Sequence, residues 1–364
     1  GDIVVDDTRT MLELTTEEEN LLTYVGANYA HVVVLINSTN VMELGQIETI
    51  PGVDACLIAG LSGSEGATAI PAVLWGDKEP SGRTADTWAY DLTTAASYAN
   101  AGMEGVGAYA DAEGLYPADG TVSGNLDTYD AYEQVSYVDY AEGIYIGYKW
   151  YETADAEGYW DGVSNEHGTG YDAVVQYPFG YGLSYTSFDW SDFKADWSGD
   201  TCTAQVTVTN TGDVSGKDVV EVYVQSPYTD YDKTNGVEKP AVELVGYGKT
   251  AELAPGASET VSVTFTKDQL KAYDANGAKT YILDAGDYYI TAAKDAHEAV
   301  NNVLAAKGKT AADGMTADGD AAFTAVYTPA NTETDTTTYA TDSRTGAAIT
   351  NQLDAAKGDA VYLT

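Results

Sequence analysis

Val32-Val33-Val34-Leu35-Ile36 is a continuous apolar run closed by Asn37-Ser38-Thr39-Asn40. Such a run, without polar alternation, reads as a strand buried on both faces of a sheet. Upstream, Thr15-Thr16-Glu17-Glu18-Glu19 offers a capping box, Thr16 paired with Glu19, ahead of Leu21, Leu22, Val25 and Tyr29 at helical spacing. Downstream, Val41-Met42-Glu43-Leu44 opens a short helix, and Val53 to Ala59 forms a second buried strand. That strand runs into Gly60-Leu61-Ser62-Gly63-Ser64-Glu65-Gly66 and then a helix through Trp75. Strands alternating with helices predict a mostly parallel sheet flanked by helices, an α/β sandwich, over residues 1–190.

Within that region, residues 93–140 are rich in Ala, Gly, Tyr, Asp and Ser and lack periodicity. A loop of this length inside a compact domain is functional or disordered. Past residue 190 the period changes to two. Cys202, Ala204, Val206 and Val208 alternate with Thr203, Gln205, Thr207 and Thr209, and Val220, Val222 and Val224 share a face. Val261, Val263 and Phe265, then Tyr288, Ile290 and Ala292, repeat the pattern between turn signals such as Pro255-Gly256 and Ala285-Gly286-Asp287. About seven short strands in roughly 100 residues predict an all-β immunoglobulin/fibronectin-III-like sandwich over 191–300. Residues 301–364 have linker composition, Thr-, Asp- and Ala-rich, in which Phe323 to Tyr327 offers one further strand.

The 364 residues carry 57 acidic against 17 basic side chains, a formal charge of −40. Such a surface repels phosphate backbones and anionic lipids, which disfavours nucleic acid and membrane surfaces as partners while remaining neutral toward uncharged sugars. No apolar run is long enough to span a bilayer. Gly1-Asp2-Ile3-Val4-Val5-Asp6-Asp7 has neither the basic start nor the apolar stretch of a signal peptide and reads as mid-domain. The compartment is left open, with the acidity leaning toward an extracellular or cell-surface setting. Cys56 and Cys202 read as buried free thiols.

Candidate chemistry is sparse. The turn at 60–66 follows a strand and precedes a helix, as phosphate sites do, but it is not GxGxxG and Glu65 would repel a phosphate. Ser62-Gly63-Ser64-Glu65-Gly66 misses the nucleophile elbow at its first position. Its possible bases would be His31, ahead of a buried strand, His167, or His297, placed in the β-sandwich. Three scattered histidines and two distant cysteines give no zinc spacing, and Asp155-Ala156-Glu157-Gly158 is an incomplete calcium loop. No cofactor or metal is therefore assigned. Many of the 29 tyrosines fall between Tyr98 and Tyr185; they suit stacking on sugar rings or ordinary edge packing. Glu65, at a helix N-terminus, is the one weak catalytic candidate. The helix dipole favours its ionised form and a capping role over that of a general acid.

As an ordered set, several segments resemble glycoside hydrolase family 3, β-glucosidase type. They are Val32 to Asn37 through Gly63-Ser64-Glu65-Gly66; Leu74-Trp75-Gly76-Asp77-Lys78-Glu79-Pro80-Ser81-Gly82-Arg83; Glu142-Gly143-Ile144-Tyr145-Ile146-Gly147-Tyr148-Lys149-Trp150-Tyr151; and Tyr177-Pro178-Phe179-Gly180-Tyr181-Gly182-Leu183-Ser184-Tyr185. Val206 to Gly212 and Gly216 to Val220 resemble the family's fibronectin-III-like module; Pro71 is a departure, inside a helix usually unbroken.

The resemblance implies part of a retaining exo-acting β-glycosidase, most often a β-glucosidase acting on terminal β-D-glucosyl residues of neutral glucosides or oligosaccharides. It also implies a nucleophile on a (β/α)8 barrel that this sequence lacks, in the same or a companion chain. The acid/base Glu would lie in a loop just upstream of Gly1, because Leu14-Thr15-Thr16-Glu17-Glu18 matches the helix after that loop. By itself the chain should be inactive. Loop 93–140 becomes a candidate wall of the sugar pocket, and Ala340 to Gly346 with Val361 to Thr364 a lead-in to the barrel. The rival readings are a noncatalytic carbohydrate-binding protein or a structural surface protein reusing these domains. Homo-oligomerisation is left open.

Overall fold

The computed structural model describes residues 12–100, 140, 142–313 and 315–351. Helix α1 (Thr16–Asn28) does open on a capping box, but one residue earlier than expected. The Glu18 amide donates to Thr15 Oγ1 (3.2 Å) and the Thr15 amide to Glu18 Oε2 (2.8 Å). Both registers satisfy the Thr-x-x-Glu spacing; Thr15 wins because its backbone is extended while Thr16 is already helical.

Strand β1 (Val33–Ile36) is followed by α2 (Gly45–Thr49) and β2 (Ala55–Ile58), and the strands pair in parallel with Val33 opposite Ala55 and Ile36 opposite Ile58. Leu44 precedes α2 as its N-cap, so Val41 to Leu44 lead into the helix without forming it. One face of this pair packs on Leu14, Leu44, Ile47 and Trp88. The expected burial on both faces is not met: Val33 and Leu35 are 47 % and 42 % exposed, and Ile36 alone of β1 is buried. A parallel sheet needs neighbouring strands and layers on both sides to exclude water. Among the described residues this one has two strands.

The helix expected through Trp75 is broken into α3 (Gly63–Gly66) and α4 (Ala69–Leu74). Pro71 sits in the first turn of α4, where its missing N–H would have had no intrahelical partner. Strand β3 (Trp88–Ala89), helix α5 (Tyr148–Ala156), the hairpin β4 (Ser164–Asn165) and β5 (Gly168–Thr169), and β6 (Val175–Tyr177) complete the α/β region, with β6 antiparallel to β3. A compact aromatic cluster of Tyr151, Trp160 and Tyr171 fills the space beneath α5.

The sandwich follows the period-two reading closely. Strands β7 (Phe188–Ser198), β8 (Thr201–Asn210), β9 (Val219–Gln225), then helix α6 (Asp230–Asn235), β10 (Glu243–Lys249), β11 (Ser258–Thr266), the pair β12 (Ala272–Asp274) and β13 (Thr280–Ile282), and β14 (Tyr288–Ala293) lead to helix α7 (Ala296–Ala306) and β15 (Thr324–Tyr327). They form two main sheets, in the order β11-β8-β7 and β10-β9-β14-β15, with β12-β13 a separate two-stranded pair. Cys202, Ala204, Val206 and Val208 point inward, each at most 1 % exposed, and meet Val220, Val222, Tyr288 and Ile290 across the core. Their outward neighbours bond across the β8–β11 ladder: Gln205 to Ser262, Thr207 to Thr260, and Thr209 to Ser258.

Two features extend beyond that pattern. All of β9 except Gln225 is buried, because α7 covers the face that carries Tyr223. The further strand offered by Phe323 to Tyr327 is present as β15 and pairs with β14, while Asp335 bridges to Leu283. The sandwich thus continues beyond residue 300, a position that falls inside α7.

Candidate functional site: the cleft over the parallel strands

The uncovered face of β1 and β2 forms the floor of a cleft of about 1270 Å³, walled by α4, by residues 79–86 and by residues 181–185. Two chain segments far apart in sequence are laced together along its rim. The Thr84 amide donates to Tyr181 O (2.8 Å), the Gly180 amide to Thr84 O (2.9 Å), and Thr84 Oγ1 to Pro178 O (2.6 Å). Glycine is needed at this crossing: a Cβ on Gly182 would lie 2.4 Å from the carbonyl oxygen of Gly82.

The Pro-Ser-Gly-Arg segment also fastens the α/β region to the sandwich. Arg83 Nη2 donates to Asp218 Oδ1 (2.5 Å), with the two side chains 11 % and 3 % exposed. Asp218 also accepts from the Trp190 indole (2.7 Å) and the Val219 amide (2.9 Å). Lys249 Nζ reaches Ser81 O at 2.7 Å, and Glu79 accepts from Ser184 Oγ and the Lys217 amide. This satisfied buried pair makes the motif a joint between the two regions.

Among the described residues, the carboxyls lining the cleft are Glu79 and Asp86. Glu79 is taken up by the contacts just described. Burial pushes the Asp86 carboxyl above its ordinary value, and the Thr87 amide (2.8 Å) partly offsets this. Cys56, on the floor, is a free thiol that burial pushes up to about 11, so it is held as an unreactive thiol at neutral pH. The cleft is therefore a mostly apolar wall with its charged groups already engaged.

The residues singled out from sequence are scattered. Glu65 lies in α3, exposed and outside the cleft lining; its carbonyl accepts from the Thr68 amide and hydroxyl. His31 is an exposed side chain 3.5 Å from Asp54, and His167 stacks on Tyr90 with ring centroids 3.7 Å apart. His297 is not on a sandwich strand but on α7, where it meets Glu152 of α5. Asp155 of the incomplete calcium loop is in α5, directed at the same histidine. Among the described residues, no group of three or more His, Cys, Asp and Glu is arranged to hold a metal ion.

Several tyrosines are packing elements, as in the pairs Tyr177–Tyr181 and Tyr148–Phe179. Residues 101–139, most of the loop read as a pocket wall, lie outside the described residues, as do Gly1 and Val361 to Thr364. Sequence reasoning missed Asp86, Asp218 and the Glu152–His297 contact, because each partner comes from a distant segment and no spacing rule connects them.

An α/β region with a parallel strand pair is thus joined through a buried Arg–Asp pair to a fibronectin-like sandwich. Residues 5–148 match the glycosyl hydrolase family 3 C-terminal domain, and residues 218–296 match the fibronectin type III-like domain. Through these domains the chain belongs to glycosyl hydrolase family 3. It is similar to β-glucosidase A of Butyrivibrio fibrisolvens, 31 % identical over 294 residues that make up 76 % of this chain and 29 % of that protein. It is also similar to a β-glucosidase of Ruminococcus albus, 30 % identical over 79 % of this chain and 25 % of the relative. The structure of β-glucosidase 3B from Thermotoga neapolitana in complex with α-D-glucose superimposes with a TM-score of 0.59 at 26 % identity, covering 78 % of this chain and 33 % of the other. The chain thus spans between a quarter and a third of the length of these relatives.

Proposed function

We propose that this chain is the α/β-sandwich and fibronectin-III-like portion of a retaining exo-acting β-glycosidase, a β-glucosidase removing terminal β-D-glucosyl residues. The observation that carries the reading is the family 3 match in a chain spanning 29 % of a β-glucosidase relative. Retention requires two carboxyls about 5–5.5 Å apart. The two carboxyls of the cleft do not supply such a pair, since Glu79 is bonded to Ser184 and Lys217. Following the family resemblance, we assign the nucleophile to a (β/α)8 barrel in the same or a companion chain, and the acid/base to a loop ahead of the Leu14-Thr15 motif. Glu65, exposed and outside the cleft lining although Ser62 and Gly66 belong to it, is assigned neither role in this reading. In this reading the module comprises an α/β domain over 1–190 and a sandwich from 191 that draws β15 from the 301–364 extension, whose remainder leads toward the barrel. Its contribution is one wall of the sugar site, braced by the sandwich, for a neutral β-glucoside or oligosaccharide.

The test is the intact mass of the native material together with hydrolysis of p-nitrophenyl β-glucoside by the same sample. Turnover accompanying a mass well above 38.5 kDa, or a companion of barrel size, is the expected result. Sugar binding without turnover, in native material of this mass alone, would replace the enzyme by a noncatalytic binding module.

A further inference from the structure

Where α5 of the α/β region meets α7 of the sandwich, a histidine is closed in among carboxylates. Glu152 is fully buried and Asp155 is 3 % exposed. The His297 ring stacks on Tyr171 with centroids 3.7 Å apart. Its Nδ1 lies 2.9 Å from Glu152 Oε2, and its Nε2 lies 2.8 Å from Thr316 Oγ1, which in turn lies 3.1 Å from Asp155 Oδ2. Tyr171 donates its hydroxyl to the other Glu152 oxygen. The remaining groups around the ring are Asp295, the N-cap of α7, and Asn301, whose amide donates to the His297 carbonyl (2.9 Å) and lies 3.3 Å from Nε2, farther than the Thr316 hydroxyl.

Counting hydrogens decides what this arrangement holds. The contacts from Glu152 to Nδ1, from Nε2 to Thr316 and from Thr316 to Asp155 need one hydrogen each. The Thr316 hydroxyl supplies one, and a neutral imidazole supplies only one more. With both carboxylates ionised, the third must be a second ring proton, making His297 a cation donating from both nitrogens. Without it, one contact lacks a hydrogen and two buried carboxylates face each other with no positive charge between them.

We propose that His297, with Glu152, Thr316 and Asp155, is a proton-dependent latch that locks α5 to α7 when the ring is charged and loosens the joint between the two regions as pH rises. Burial alone would lower the imidazole value, but Glu152, then Asp155 and Asp295, raise it above the ordinary 6.5. A value raised by folding means that the contribution is complete below the unfolded value and is lost as pH climbs through the folded one. Asp155 acts with the same sign: burial and Glu152 raise it to about 6 despite His297, so its charging also disfavours the closed joint as pH rises.

The test is amide hydrogen exchange between pH 6 and 9, corrected for intrinsic rates, on the chain and on Asp155→Asn. The Asn amide supplies the third hydrogen at every pH. In the wild type, opening of α5 and α7 should increase relative to β8 and β11, by at most about tenfold per pH unit for one proton. In Asp155→Asn that increase should be flattened. An unchanged pH response in the variant, or none in the wild type, overturns the latch. Should the variant not fold, ring ¹⁵N shifts of the wild type, which has three histidines, decide the matter. Loss of the second His297 proton over the range where α5 and α7 open sustains the proposal, and a ring neutral throughout that range overturns it.

Discussion

The sandwich and the α/β region both present apolar strand residues, alternating in β8 and continuous in β1, yet they bury them differently. In β8, residues 202, 204, 206 and 208 are sealed by a second sheet drawn from the same hundred residues. In β1, Val33 and Leu35 remain near half exposed over a cleft. A sandwich closes its core with strands contributed locally by antiparallel neighbours, whereas a parallel sheet depends on layers and strands gathered from elsewhere. Apolar sequence sets which residues seek burial; topology sets whether a partner surface is within reach.

The sharpest way to break this comparison is to truncate one side chain in each region. Phe265, 2 % exposed and edge-on to Trp197, should cost about 3–5 kcal/mol as Phe265→Ala in urea unfolding. Leu35→Ala should change stability by no more than about 0.5 kcal/mol, because the side chain is already half in water. Equal losses would remove the contrast.

A cut across the joint comes next. Arg83→Ala leaves Asp218 buried with its charge unmatched and should cost about 3 kcal/mol, uncoupling the melting of the two regions in calorimetry. A single unshifted transition would show that the pair does not hold them together.

A smaller, pH-dependent effect sharpens the same boundary. Glu221, buried beneath the joint and bonded to Tyr223, is raised by burial to about 7, against the lowering effect of the Tyr223 hydroxyl. A carboxyl raised by folding contributes fully below its ordinary value near 4.5, and that contribution is lost as pH rises to about 7. Glu221→Gln should therefore flatten the fall in Tm between pH 5 and 8, leaving the variant relatively better off at pH 8. The smallest effect is expected at α1. Thr15→Ala removes its cap for about 1 kcal/mol, detected as faster exchange of the α1 amides with the sandwich unaffected.

Much of the fold was legible before any coordinates. The Thr/Val alternation of 202–209 prescribed the face of every residue in β8, and the run at 32–36 prescribed a strand. The slips were local where two registers satisfied one rule, as at Thr15 and Thr16, or where Pro71 divided a helix. Past residue 300 the strand offered by Phe323 to Tyr327 is found as β15, but a four-residue edge strand in a Thr-rich tail carries too weak a pattern to show that it pairs with β14 and extends the sandwich. The cleft was less legible: its motif residues were recognised, but their bonding to Asp218 and Ser184 was not.

By itself, then, the sequence determined periodicity, the two architectures and the family, because these depend on residues within one element or on motifs read in order. Tertiary structure alone decided that Arg83 pairs with Asp218, that α7 covers β9, and that His297 is enclosed with Glu152 and Asp155. Those contacts join residues more than a hundred positions apart in two of the three cases. Their strength comes from burial in low dielectric, a property that belongs to the packed assembly and to no stretch of chain.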